Sequence, residues 1–126
     1  MSATPEPPCP FCTNDPLSTH EFSKVFLDKY PVSPGHRLIV PKRHVASLFE
    51  LAPEEYSELF TIARELATSD RSAPDGWNLG VNVGPAAGQT VMHVHVHLVP
   101  RMLGDVPDPR GGVRWVVPHH AVYWTD

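Results

Sequence analysis

Fifteen of the 126 residues are proline, more than twice the usual share of about 5%. Each proline removes a backbone donor and clashes with the preceding turn, so long uninterrupted helices are excluded over most of the chain. Five of the prolines lie in the first 16 residues. Residues 1 to 8 have almost nothing to bury, which predicts a disordered tail ahead of a single domain over residues 9 to 126. Lys24 to Leu27 and His36 to Val40 read as short strands, with a Pro- and Gly-punctuated loop over Asp28 to Gly35 between them. The clearest helix runs from Pro53 to Thr68, where Pro53 suits the first position and Glu54 and Glu55 favour the positive end of the dipole. Tyr56, Leu59, Phe60, Ala63, Leu66 and Ala67 form its apolar stripe. A shorter helical turn is expected around Val45 to Phe49. Trp77 to Val83 alternates as a strand, and Arg114 to Val117 reads as a last one. Four to five strands with one inserted helix make an α+β chain.

Composition narrows the function classes. Apolar residues make up 41% of the chain, an ordinary share for a folded domain. No apolar run approaches the roughly 20 residues that span a bilayer, and the N-terminus lacks the basic-then-apolar pattern of a secretory leader. Ten Lys+Arg against 14 Asp+Glu leave a net charge of −4, which argues against a general nucleic-acid binder. The expectation is a cytoplasmic protein with no membrane and no nucleic-acid partner.

Histidine is the unusual residue, with eight copies. Met92 to Val99 alternates strictly, so a strand there puts Val94, Val96 and Leu98 on one face and His93, His95 and His97 on the other. The aliphatic face should lie against the Pro53 helix. Successive imidazoles are then held about 6.6 Å apart along the strand. Two chemistries use such a row. Imidazoles can chelate a metal directly, or a neutral imidazole can attack an electrophilic phosphorus or acyl centre. The turn Gly84 to Gly88, with Gln89 and Thr90, offers backbone N–H groups and polar side chains beside the row, a small anion cradle. Cys9-Pro10-Phe11-Cys12 is a C-x-x-C open to three readings: half of a zinc site, a redox pair or bystander thiols.

The run Gly88-Gln89-Thr90-Val91-Met92-His93-Val94-His95-Val96-His97-Leu98-Val99 resembles the signature of the histidine triad (HIT) superfamily, and the likeness extends over roughly Cys9 to Arg101. Phe26-Leu27-Asp28, Pro34-Gly35-His36, Pro41-Lys42-Arg43-His44 and Asn78 to Gly84 sit in the family's order. The tail motif Gly104-Asp105-Val106, with Pro109 to Arg114, looks like that of a bacterial branch and has no assigned chemistry. The resemblance implies a HIT-like fold, an antiparallel sheet of about five strands with one long helix packed on it. It also implies a hydrolase or transferase acting at the α-phosphate of a nucleotide conjugate through a nucleotidyl-histidine, similar to nucleoside phosphoramidases and dinucleoside polyphosphate hydrolases. His95 would be the nucleophile, and His97 and His36 would contact the phosphate or leaving group. Gly88, Asn82, Gln89 and Thr90 would bind the α-phosphate, and Asp28 the ribose hydroxyls. A purine nucleotide substrate and a homodimer follow from the same likeness, the Pro53 helix or the Trp77 strand supplying the contact.

In the zinc-binding bacterial branch, the residues matching Cys9, Cys12, His44 and His93 hold a structural Zn2+; no organic cofactor is implied. One departure matters: only 15 residues separate Cys12 from Asp28, where family members often have several more, a segment that helps to wall the base pocket. The alternative from a different class is a metal-dependent hydrolase that uses His93, His95 and His97 directly as ligands.

Overall fold

The computed structural model describes residues 8–126, so all but Pro8 of the expected tail lies outside the described residues. In chain order the helices are α1 (Pro10–Thr13) and α2 (Pro53–Thr68). The strands are β1 (Ser18–Thr19), β2 (Ser23–Leu27), β3 (Arg37–Pro41), β4 (Gly76–Val81) and β5 (Val96–Arg101). They form one antiparallel sheet in the order β1-β2-β3-β5-β4. Fold class, strand number and the single long helix agree with the sequence. No described helix is long and apolar enough to cross a membrane.

The two-residue period of the strands decides which side chains meet. Val25, Ile39, Val96 and Leu98 point to one face of the sheet and pack with Leu59, Ile62 and Ala63 of α2 in the main core. Phe26, Leu38 and Val40 point to the opposite face, where Phe11 of α1 covers them. The helix thus occupies one face, and the other face is left for chemistry.

The helix sits slightly rotated from the expected stripe. Ile62 joins Leu59 and Ala63 as buried, whereas Tyr56 and Phe60 are 36% and 40% exposed and stack on each other 6.0 Å apart. The cause lies at the helix start. Glu55 is buried, accepting from the Ala52 N–H at 2.9 Å and from Arg43 at 2.8 Å, and this turns the Tyr56 edge outward. Arg43 holds the Glu55 carboxyl below its ordinary pKa. The same arginine anchors the Pro41–His44 segment to the helix.

Three further elements depart from expectation. The histidine segment becomes ladder only from Val96, although Val94 is fully buried on the helix side as alternation requires. Ahead of it the Pro41 carbonyl is taken by His93, and the Val94 N–H goes to the Val45 carbonyl at 2.8 Å, so β3 has no partners left to offer. Arg114 to Val117 is not a strand but part of a 3-10 turn over Gly112–Val116. Gly111 and Gly112 take φ of 91° and 45°, Arg114 bonds the His120 and Ala121 carbonyls, and these local bonds replace pairing. The helical turn expected at Val45 to Phe49 is a 3-10 turn at Leu48–Glu50.

Leu59→Ala should cost about 2–5 kcal/mol in chemical denaturation, and Tyr56→Ala about 1 kcal/mol or less. Equal losses would contradict this orientation of the helix.

Candidate active site and metal centre

The imidazole of His93, fully buried, donates from Nε2 to the Pro41 carbonyl at 2.7 Å. A carbonyl only accepts, so the ring's proton is on Nε2 and its Nδ1 carries a lone pair. That Nδ1 lies 3.3 Å from Cys9 Sγ, 3.6 Å from Cys12 Sγ and 3.1 Å from His44 Nδ1, and Cys12 Sγ is 3.3 Å from His44 Nδ1. All four ligand atoms fall within 4.8 Å of one another. A tetrahedral ion with Zn–S near 2.3 Å and Zn–N near 2.0 Å separates its ligands by about 3.3–3.8 Å, so this donor set has the dimensions of such a site. The Pro41 bond supplies the outer hydrogen bond that metal-binding imidazoles usually have.

The main-chain carbonyl of His93 accepts from Nδ1 of His95 at 2.9 Å. By the same logic His95 carries its proton on Nδ1, and its Nε2 is an open lone pair. Phe11, between the two cysteines, packs its ring 5.1 Å from His95 and 5.6 Å from His93.

His36 and His97 form a second chain of forced tautomers. The Val32 N–H donates to His36 Nδ1 at 3.2 Å, which leaves the proton of the neutral ring on Nε2. His36 Nε2 is 2.9 Å from His97 Nδ1 and 3.4 Å from Asp28 Oδ2. With His36 donating, His97 accepts on Nδ1 and keeps its own proton on Nε2. Burial pushes His36 below its ordinary pKa, with Asp28 opposing. Burial, helped by the neighbouring His95 and His36 rings, pushes His97 down to about 4.

The three triad rings therefore do not converge on one ion. His93 turns into the cysteine cluster, His95 is tied to the backbone, and His97 joins His36 and Asp28. The direct-ligation alternative fails on this geometry.

A cavity of about 730 Å³ opens on the sheet face away from α2, lined by Asp28, Asn82, Gly88, Thr90, His95 and His97 among others. Pro10, Phe11, Asn14 and Leu17 form its other wall, so the shortened segment between Cys12 and Asp28 still closes the pocket with α1 and the chain after it. Gln89 is the exception. Its amide donates to the Ala46 and Val91 carbonyls at 2.8 and 3.1 Å, and its Oε1 accepts from the Gly84 N–H at 2.8 Å. All of its capacity but one lone pair is spent inside the protein, so it staples the loop rather than meeting a phosphate. The N–H groups of Ala87, Gly88 and Gln89 likewise turn onto loop carbonyls. The expected cradle of free amides is thereby reduced, and the loop's contribution falls to Thr90 and to the space above Gly88. Phe11 went unrecognised in the sequence; its position between two candidate ligands was the available signal.

The HIT domain family matches residues 14–103. The bis(5'-nucleosyl)-tetraphosphatase [asymmetrical] of Schizosaccharomyces pombe is 39% identical over 87 residues, 68% of this chain and 48% of that protein. The AP-4-A phosphorylase of Mycobacterium tuberculosis is 40% identical over 82 residues, 63% of this chain and 42% of that one. This chain thus spans about half the length of these two relatives. A Zn-bound histidine triad family protein from Mycobacterium smegmatis superposes with a TM-score of 0.65 at 32% identity, covering 80% of this chain and 79% of the other. On its sequence and its fold alike, this chain belongs to the HIT domain family.

Proposed function

We propose that the protein is a nucleotidyl hydrolase or transferase that cleaves a nucleotide conjugate at its α-phosphate through a covalent bond to His95. One observation carries this reading: the 2.9 Å bond from His95 Nδ1 to the His93 carbonyl fixes the tautomer whose Nε2 lone pair is free to attack. The relatives' names, a tetraphosphatase and a phosphorylase of dinucleoside substrates, support the same chemistry. In this reading the roughly 730 Å³ cavity takes a purine nucleotide. Asp28 accepts from the ribose hydroxyls, Asn82 and Thr90 hold the phosphate, and Gly88 leaves room for it.

The steps balance as two in-line displacements. His95 Nε2 forms a bond to phosphorus as the bond from phosphorus to the leaving group breaks. The leaving group departs with that electron pair and takes a proton from the His36–His97 pair. Water then forms the new P–O bond and returns a proton to the pair. The N–P electrons go back to His95, and a nucleoside monophosphate is released. In the empty pocket His97 is neutral at pH 7. The anionic phosphate favours proton uptake by the pair as it enters.

Cys9, Cys12, His44 and His93 fit a closed structural Zn2+ site, supported by the donor geometry and by the Zn-bound relative. Such an ion supplies no bond-breaking chemistry. What the chain gains is a fixed His93, and with it the carbonyl that orients His95.

His95→Ala should reduce turnover by at least about 10³-fold, the scale of losing a nucleophile, while still binding nucleotide. Intact mass spectrometry at neutral or alkaline pH should show a nucleotide-sized adduct on the wild type alone. Substantial activity in the variant would sink the assignment.

Metal analysis should find about one zinc per chain, lost in Cys9→Ser together with thermal stability. A metal-free wild-type protein that is fully folded would refute the centre.

The folded chain's depressed His97 value means that between 6.5 and about 4 the unfolded chain binds more protons. The melting temperature should therefore fall as pH drops through that window, less steeply in His97→Gln. Equal slopes would contradict the buried neutral pair.

A further inference from the structure

The cavity that holds His95 has two ends. At one end, His97 and Asn82 also border a second space of about 660 Å³, whose outer wall is the segment after residue 103. Asp28 borders the first space and not the second. With the phosphate at His95 and the ribose at Asp28, a base continues past Asp28, away from the second space.

Two chain segments run side by side there. β1 pairs with β2 through Ser18↔Val25 and Thr19↔Lys24, and the Leu17 N–H reaches the Val25 carbonyl at 2.7 Å. Continued outward, this antiparallel register sets Leu17 beside Phe26, Pro16 beside Leu27 and Asp15 beside Asp28, and all six residues line the cavity. Asn14 and Lys29 follow at the same rim. The shortened run between Cys12 and Asp28 produces this arrangement, because α1 ends at Thr13 and β1 already begins at Ser18.

The chemistry of the rim differs from that of the walls. Leu17 and Leu27 are each 57% exposed, apolar surface suited to the faces of a flat ring. Asn14, Asp15 and Lys29 are exposed as well, and among the described residues none of their side chains has a hydrogen-bond partner. Asp28, by contrast, accepts from the Tyr30 N–H at 2.8 Å and lies 3.4 Å from His36. A second carboxylate beside Asp28 repels it and any nearby phosphate, so Asp15 weakens binding unless the ligand brings donors to it. Guanine brings two, its N1–H and its 2-amino group, side by side as a carboxylate accepts them. Its O6 is left for the Asn14 amide or the Lys29 ammonium. Adenine sets a bare N1 against the same carboxylate and offers it a single donor. We propose that Asp15, with Asn14 and Lys29, reads the Watson–Crick edge of the base and selects guanine over adenine. This rests on the nucleotide reading above and names the base that reading leaves open.

The test uses full-length His95→Ala protein, which binds without turning over. Calorimetry compares GMP with AMP. GMP should bind about tenfold or more tighter, within the range of discrimination by one bidentate pair. Adding Asp15→Ala should level the two affinities. Adding Asp15→Asn should level or invert them, because an amide can accept from the adenine amino group and donate to its N1. A change in the order of two ligands is not something a loss of fold produces. Equal affinities for GMP and AMP in the His95→Ala protein, or a guanine preference that survives both Asp15 substitutions, would overturn the proposal. Failure of the nucleotide reading would show differently: neither GMP nor AMP would bind, and no adduct would form on wild-type His95.

Discussion

The structure depends on one buried imidazole used at three points. His93 gives its Nε2–H to Pro41, turns its Nδ1 toward two sulfurs and a second imidazole, and offers its carbonyl to His95. None of the three contacts is spare. The Pro41 bond selects the tautomer that faces the cysteines, and the cysteine cluster adds to the packing of Phe11 in holding α1 against the sheet. Metal-type ligands and candidate nucleophile are thus one mechanical unit, with Phe11 packed against both rings.

The sheet makes this unit possible by separating its duties. One face holds α2 through Ile39, Val96, Leu98 and Leu59, and its burial supplies the stability. The other face is left partly uncovered, with α1 at one end and the Gly104–Trp115 segment at the other. His97 stands where the two open spaces meet. In the proposed reading, a protein with net charge −4 serves an anionic ligand because hydrogen-bond donors and fixed tautomers act locally where net charge does not.

Much of this was legible in the sequence, and for physical reasons. Strict alternation over residues 92–99 determines faces whatever the ladder does, so Val94, Val96 and Leu98 are buried even though pairing begins only at Val96. Pro53 and the acidic first turn mark the helix start to the residue. The backbone bonds of Gln89 were not legible, because an amide's partners are set by chain segments far away, here Ala46, and no local pattern announces them. Tyr56 and Phe60 belong to the same apolar stripe, but the burial of Glu55 at the helix start turns their edge outward, and a sequence pattern does not show which side of a stripe a buried charge will displace. Arg114 to Val117 has strand-forming residues, but the left-handed Gly111 and Gly112 ahead of them wind the chain into a 3-10 turn instead, which β-propensity does not reveal. The placement of the tail against β4 was not legible in the sequence, since it depends on which face of the sheet it covers.

The tautomer of His95 tests the central claim most directly. Long-range 15N–1H correlation spectra of histidine-labelled protein at pH 7.5 separate a protonated Nδ1 from a protonated Nε2. The structure requires the neutral His95 ring to carry its proton on Nδ1. A neutral His95 ring that carries its proton on Nε2 would contradict it.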